Sequence, residues 1–219
     1  MTQRLLDILV SSFPRLVLYC VQVTIPLTVC IYILSLVLGF LLALIQIQKI
    51  PVLKPLARVY VWVFRGTPLI VQMYIIFFGL PSLGITLDAF PSAVIAFSLN
   101  YAAYFAEIFR GGIQSIPVGQ REAGQVLGMT RGQTFFHVIL PQMAKRVLLP
   151  VSNEVITLVK DTALARVIGV VEIIKVADRF ASKALIWPLF YTGAFYLVAV
   201  GALTLLFGYL EKKLSYYKV

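Results

Sequence analysis

The stretch LVLYCVQVTIPLTVCIYILSLVLGFLLALIQIQ, Leu16–Gln48, contains no charged residue. As a helix it is about 50 Å long at ~1.5 Å per residue. That exceeds the ~30 Å hydrocarbon core of a bilayer. Such a run is a membrane span that tilts, kinks or projects, and Pro26 is the candidate kink. The rest of the composition agrees. Of 219 residues, 60% are hydrophobic and 13% charged, with mean hydropathy +0.93. A soluble domain is about half apolar and about a quarter charged. The chain reads as an all-α integral membrane protein.

Four more apolar stretches follow. They lie at about Val59–Leu80, Ala89–Ala106, Val147–Val171 and Ala184–Leu210. The reading is therefore five transmembrane helices in one domain, residues 1–219. The net charge of +10 fits basic loops on the cytoplasmic side of a membrane better than nucleic-acid binding. Lys49, Lys54, Arg58 and Arg65 mark one basic region, Arg110, Arg121, Arg131, Lys145 and Arg146 a second, and Lys212, Lys213 and Lys218 a third. Five spans put all three on one side, which places the N-terminus outside and the C-terminus in the cytoplasm. The segment EIIKVADRFASK, 172–183, then lies outside as an amphipathic helix. Cys20 and Cys30 show no CxxC spacing and His137 stands alone, so no metal site is expected.

One apolar stretch holds a contradiction. NEVITLVKD, Asn153–Asp161, carries Glu154, Lys160 and Asp161. Each charge at a bilayer centre costs roughly 2.5–3.5 kcal/mol on insertion scales. Helical periodicity sorts the three. Glu154, Thr157 and Asp161 share one face, whereas Lys160 points elsewhere. In the preceding span Asn100, Tyr104 and Glu107 follow helical i, i+4, i+7 spacing. Asn100 and Tyr104 can join Glu154, Thr157 and Asp161 around a cavity for a polar substrate, with Gln72 a further candidate. Interhelical pairing is the structural alternative for each, and for Lys160 and Asp161 above all. Arg65 reads as structural.

Between Glu107 and Arg146 lies a long polar stretch, expected to be cytoplasmic. Pro117 precedes a short helix stopped by Gly128. Thr130 caps a second that Pro141 ends. Arg121, Ala123 and Gly124 lie near the tip of this hairpin.

EAGQVLGMTRGQTFFHVILP, 122–141, resembles the EAA motif of permease subunits in ABC importers, matching at Glu122, Ala123, Gly128, Ile139, Leu140 and Pro141. The third motif position is Gly124 rather than Ala. FRGTPLIVQ (64–72), NYAAYFAEIFRGGI (100–113) and NEVITLVKDTALARVIGVVEI (153–173) are similar to the polar amino acid branch, the histidine and glutamine permease type. The resemblance implies the type I ABC importer permease fold in a bacterial cytoplasmic (inner) membrane. It implies a coupling loop at about 107–146, with Arg121, Glu122, Ala123, Gly124 and Gly128 against a separate ATPase. This chain has no GxxxxGK[ST] loop, so ATP and Mg are expected on two partner ATPase subunits and the chain is not itself an enzyme. A second permease, identical or paralogous, and an extracytoplasmic amino-acid-binding protein complete the expected assembly. The excess of carboxylates favours a cationic amino acid over glutamine or cystine. An ion-coupled secondary transporter is the competing class; it leaves the loop motif unexplained.

Overall fold

The computed structural model describes residues 2–48, 50–182 and 186–214. Lys49, Lys183 and Lys218, which entered the orientation argument, lie outside the described residues, as does the start of the last expected span at Ala184 and Leu185. Every regular element among the described residues is helical: α1 (Thr2–Tyr19), α2 (Ile25–Ile47), α3 (Leu53–Gly66), α4 (Leu69–Tyr74), α5 (Ala89–Gln114), α6 (Val118–Val126), α7 (Arg131–Thr134), α8 (Leu140–Asp161), α9 (Ile173–Ala181) and α10 (Trp187–Leu214).

Helix α5 is the hub. Ala93, Ala96, Phe97, Ala102, Phe105 and Ala106 along it are fully buried. Small residues let α2 approach closely: a Cβ built on Gly39 of α2 would lie 2.6 Å from Phe105 Cβ and 2.9 Å from the Ala102 carbonyl oxygen. Without a hydrophobic driving force in lipid, such close backbone packing is what holds membrane helices together. On the other flank α8 packs against α5, with Met143, Val147, Val151, Val155 and Leu158 turned inward. Helix α10 lies at the periphery, and Leu197, Val198, Leu205 and Leu206 are exposed as expected of a lipid-facing helix. The expected amphipathic helix at 172–183 is α9: Ile173, Val176 and Ala177 are buried, while Asp178 pairs with Arg166 at 2.8 Å.

Three helices are long and apolar enough to cross a membrane among the described residues: Ser12–Ile47, Ala89–Gln114 and Trp187–Leu214. The expected span at 59–80 is not one helix. Leu53–Gly66 and Leu69–Leu83 meet at 105° and make a fourth crossing only as a bent pair. The fourth expected span, at 147–171, falls on α8, which has 22 residues, about 33 Å of helix at ~1.5 Å each. It is long enough, but its charges keep it from qualifying on apolarity. Those charges do not break it; the helix runs through Asp161 and then tightens into a 3₁₀ turn at Thr162–Ile168.

Three prolines share a device. A wide π-turn occupies Cys20–Thr24, Ile75–Gly79 and Phe135–Ile139, each ending two residues before Pro26, Pro81 or Pro141. A proline ring collides with the carbonyl four residues back. That carbonyl lies inside each π-turn, where the bonding register has shifted from four residues to five, as in Leu140 N–H to Phe135 O. The expected helix end at Pro141 is therefore wrong. The chain stays helical from Arg131 to Asp161, with Pro141 in the first turn after the widened one. Pro26 is absorbed in the same way.

Candidate functional site: a polar cavity at a broken helix

The cavity begins with Pro68. It has no N–H and biases the preceding residue toward extended backbone. Thr67 sits at φ −119°, ψ 144°, and α3 stops at Gly66. The break strands carbonyls of the last turn of α3, which lipid cannot satisfy. Side chains do so instead. Thr67 Oγ1 donates to Val63 O at 2.8 Å. Gln72 Nε2 lies 3.0 Å from Phe64 O, 3.2 Å from Thr67 O and 2.7 Å from Thr67 Oγ1. Asn100 Nδ2 donates to Phe64 O and to Gln72 Oε1, both at 3.0 Å.

In front of this junction lies a cavity of about 460 Å³, lined by Arg65–Leu69, Asn100, Tyr101, Tyr104, Glu154, Thr157 and Asp161. Five of the six residues singled out from sequence thus surround one space. Gln72 is the exception. It is buried behind the break and its amide is committed there. Both amide protons of Asn100 are also committed, which leaves only its carbonyl oxygen for a ligand. Lys160 is exposed and absent from the lining, as the helical spacing requires.

Besides the backbone break at 66–69, sequence reading left Tyr101 and Arg65 out of the lining. Tyr101, next to Asn100, is buried and its hydroxyl donates to Asp161 Oδ2 at 2.7 Å, tying α5 to α8. Arg65, set aside as structural, lines the cavity. Its guanidinium carbon lies 5.4 Å from the Tyr104 ring centroid, within cation–π range. Nη1 is 3.8 Å from Glu107 Oε2. Glu107 itself is held by Arg110, Nη2 to Oε2 at 2.6 Å. The cavity therefore offers two carboxylates from α8 and one guanidinium from the end of α3, the set a zwitterion with both charges would need.

A second feature is the hairpin between α5 and α8. It is narrower than 107–146, because α5 runs to Gln114 and the second helix continues into α8. Only α6 is a separate short helix. Gly128 ends the turn at φ +70°, a left-handed conformation that glycine adopts without penalty. Thr130 and Gln133 form a capping box at the start of α7. Arg121, Glu122 and Ala123 are exposed, as are Val126 and Leu127. Gly124 is buried, and a Cβ there would come within 2.7 Å of Thr134 Oγ1. The departure from alanine in the motif has a packing reason.

The sequence matches the family described as "Binding-protein-dependent transport system inner membrane component" over residues 16–216. Among curated relatives, the L-cystine transport system permease protein TcyB of Bacillus subtilis is 42% identical over 96% of this chain and 92% of its own length. The arginine transport system permease protein ArtQ of the same organism is 39% identical, covering 94% and 96%. Among solved structures, an amino acid ABC transporter crystallised with histidines superposes with TM-score 0.85 at 33% identity, covering 94% of this chain and 96% of that one. The chain belongs to the family of binding-protein-dependent inner-membrane transport components, and it has the type I ABC importer permease fold. It is an amino acid ABC importer permease embedded in the inner membrane, a transport subunit and not an enzyme. An ion-coupled carrier is set aside. ATPase and substrate-binding-protein partners follow from that membership.

Proposed function

We propose that the cavity at the broken helix holds a polar amino acid during passage, with the cationic amino acids arginine, lysine and histidine preferred. Arg65 takes the α-carboxylate. Glu154 takes the ammonium or the cationic side chain, with Thr157, Tyr104 and the Asn100 carbonyl as further polar contacts. Asp161, oriented by Tyr101, adds a second negative charge on the α8 wall. The observation that carries this reading is the meeting of two carboxylates and one guanidinium, from different helices, around one cavity. The arginine-permease relative supports it.

The cystine-permease relative, at 42% identity, favours a second reading in which a longer, neutral substrate uses the same Arg65 and Glu154. Uptake competition separates the two. In proteoliposomes containing the whole importer, arginine and lysine are expected to block uptake of labelled arginine, with cystine and glutamine weak. Strong block by cystine or glutamine and none by lysine reverses the assignment.

In the working complex two ATPase subunits bind ATP and Mg, and α6 with the turn after it seats on one of them through Arg121, Glu122, Ala123 and Gly128, while Gly124 packs against Thr134 and holds that surface in shape. A second permease, identical or paralogous, closes the path. The binding protein delivers substrate on the side opposite α6. This orientation keeps the N-terminus outside and the C-terminus in the cytoplasm.

A further inference from the structure

Next to the substrate cavity lies a second, of about 420 Å³, and Arg65 borders both. Its walls are one face of α3, with Lys54, Arg58, Trp62 and Arg65, and the ends of α2 and α5, with Gln46, Glu107 and Arg110. The residues on α3 recur at helical spacing, so they form a single stripe. Four cations thus face one carboxylate. That carboxylate is already taken: Arg110 holds Glu107 through Nε at 3.1 Å and Nη2 at 2.6 Å, and its Nη1 bonds Gln114 Oε1 at 2.7 Å. Among the described residues no ion pair involves Lys54 or Arg58. Like charges one helical turn apart oppose each other, so the unneutralised pair calls for an anion from outside the chain.

Position and surroundings select the anion. The groove lies at the ends of the two candidate spans Ser12–Ile47 and Ala89–Gln114, lined there by Gln46, Ile47, Arg110 and Gln114, and a span's end is where headgroups are met. Trp62, on its rim, is 76% exposed, and tryptophan is enriched at headgroup depth. Along α3, Leu56, Val59 and Val63 are exposed apolar neighbours. A basic pocket between spans, with apolar helix surface beside it, matches the two halves of an anionic lipid. A cationic amino acid would be repelled by the same charges.

We propose that this groove binds the phosphate of an anionic phospholipid, its acyl chains lying along the exposed apolar surface of α3. Because Arg65 borders both cavities, an occupant here acts on the residue assigned to the substrate carboxylate.

The test uses the permease purified with its ATPase from bilayers of phosphatidylcholine containing phosphatidylglycerol, with retained lipid counted by native mass spectrometry. Wild type is expected to retain phosphatidylglycerol in preference to phosphatidylcholine. Retention should fall about thirtyfold in a Lys54→Glu, Arg58→Glu double variant, from roughly one lipid-binding increment per basic residue lost. A Lys54→Arg, Arg58→Lys exchange should retain lipid as wild type does. Lys54→Gln with Arg58→Gln serves if the reversal fails to assemble, and should also lose retention. Equal retention of the two lipids, or undiminished retention in the variants, overturns the proposal. So does complete displacement by millimolar inorganic phosphate, which would mark a small-anion site.

Discussion

Gly124 is where the hairpin is most sensitive to a single methyl. Alanine ordinarily stabilises a helix interior by about 1 kcal/mol relative to glycine, so Gly124→Ala should strengthen α6 if only propensity mattered. The geometry predicts the opposite. The new Cβ would lie 2.7 Å from Thr134 Oγ1, 2.8 Å from Cγ2 and 3.3 Å from Cβ, against 3.4–4 Å for ordinary contact. Thr134 has little room to yield, since it is buried and its hydroxyl donates to Thr130 O at 3.1 Å. Overpacking of this kind costs ~1–3 kcal/mol, so the net effect is a destabilisation of about 1 kcal/mol, with α6 displaced from α7. Thr134→Ala removes the two closest atoms. The double variant should therefore recover, with a favourable coupling energy of ~0.5–3 kcal/mol. The assay is the thermal midpoint of the permease–ATPase complex, paired with substrate-stimulated ATP hydrolysis. A Gly124→Ala protein as stable as wild type, or single effects that simply add, refutes the packing argument.

Other consequences follow from the same contacts. Gly39→Ala should lower the thermal midpoint by an amount matching ~1–3 kcal/mol, because its Cβ would meet the Ala102 carbonyl at 2.9 Å; Gly201→Ala, with nothing within 4 Å, should not. Gln72→Leu removes donors from the broken end of α3 and should destabilise by about 1–3 kcal/mol without altering which amino acids compete for uptake; a changed competition profile would return Gln72 to the cavity. Glu172 is fully buried at the start of α9, where it accepts from Ile174 N–H at 2.8 Å and Lys175 N–H at 2.7 Å. Burial raises its pKa above the ordinary 4.5 despite those bonds. The folded state then binds the proton more tightly than the unfolded one. Its stabilising contribution is complete below 4.5 and is lost as pH rises through the folded value. Thermal midpoints compared across that range should fall more for wild type than for Glu172→Gln; parallel curves would contradict this.

The membrane class was legible because a charge-free run as long as Leu16–Gln48 has few alternatives. The face shared by Glu154, Thr157 and Asp161 was legible because a helix repeats nearly every seven residues, and the structure keeps α8 helical throughout. What sequence hid was tertiary. Periodicity continued through residues 59–80 as if one helix ran there, although Thr67–Pro68 carried the signal of a break. Only the bend brings Arg65 to the cavity and turns Gln72 from a free polar residue into a donor for stranded carbonyls. Tyr101 was passed over because it is off the Asn100–Tyr104 stripe; its partner, Asp161, is on another helix. Pro141 looked like a stop because the π-turn that accommodates it has no marked sequence signature.

The claim that Glu154 contacts the substrate is tested most directly by the concentration dependence of arginine uptake in proteoliposomes containing the Glu154→Gln importer. Loss of a charge-assisted contact worth ~1.5–3 kcal/mol predicts an apparent affinity weakened about tenfold to a hundredfold, with ATPase assembly intact. An unchanged affinity for arginine would remove Glu154 from the site and contradict the account.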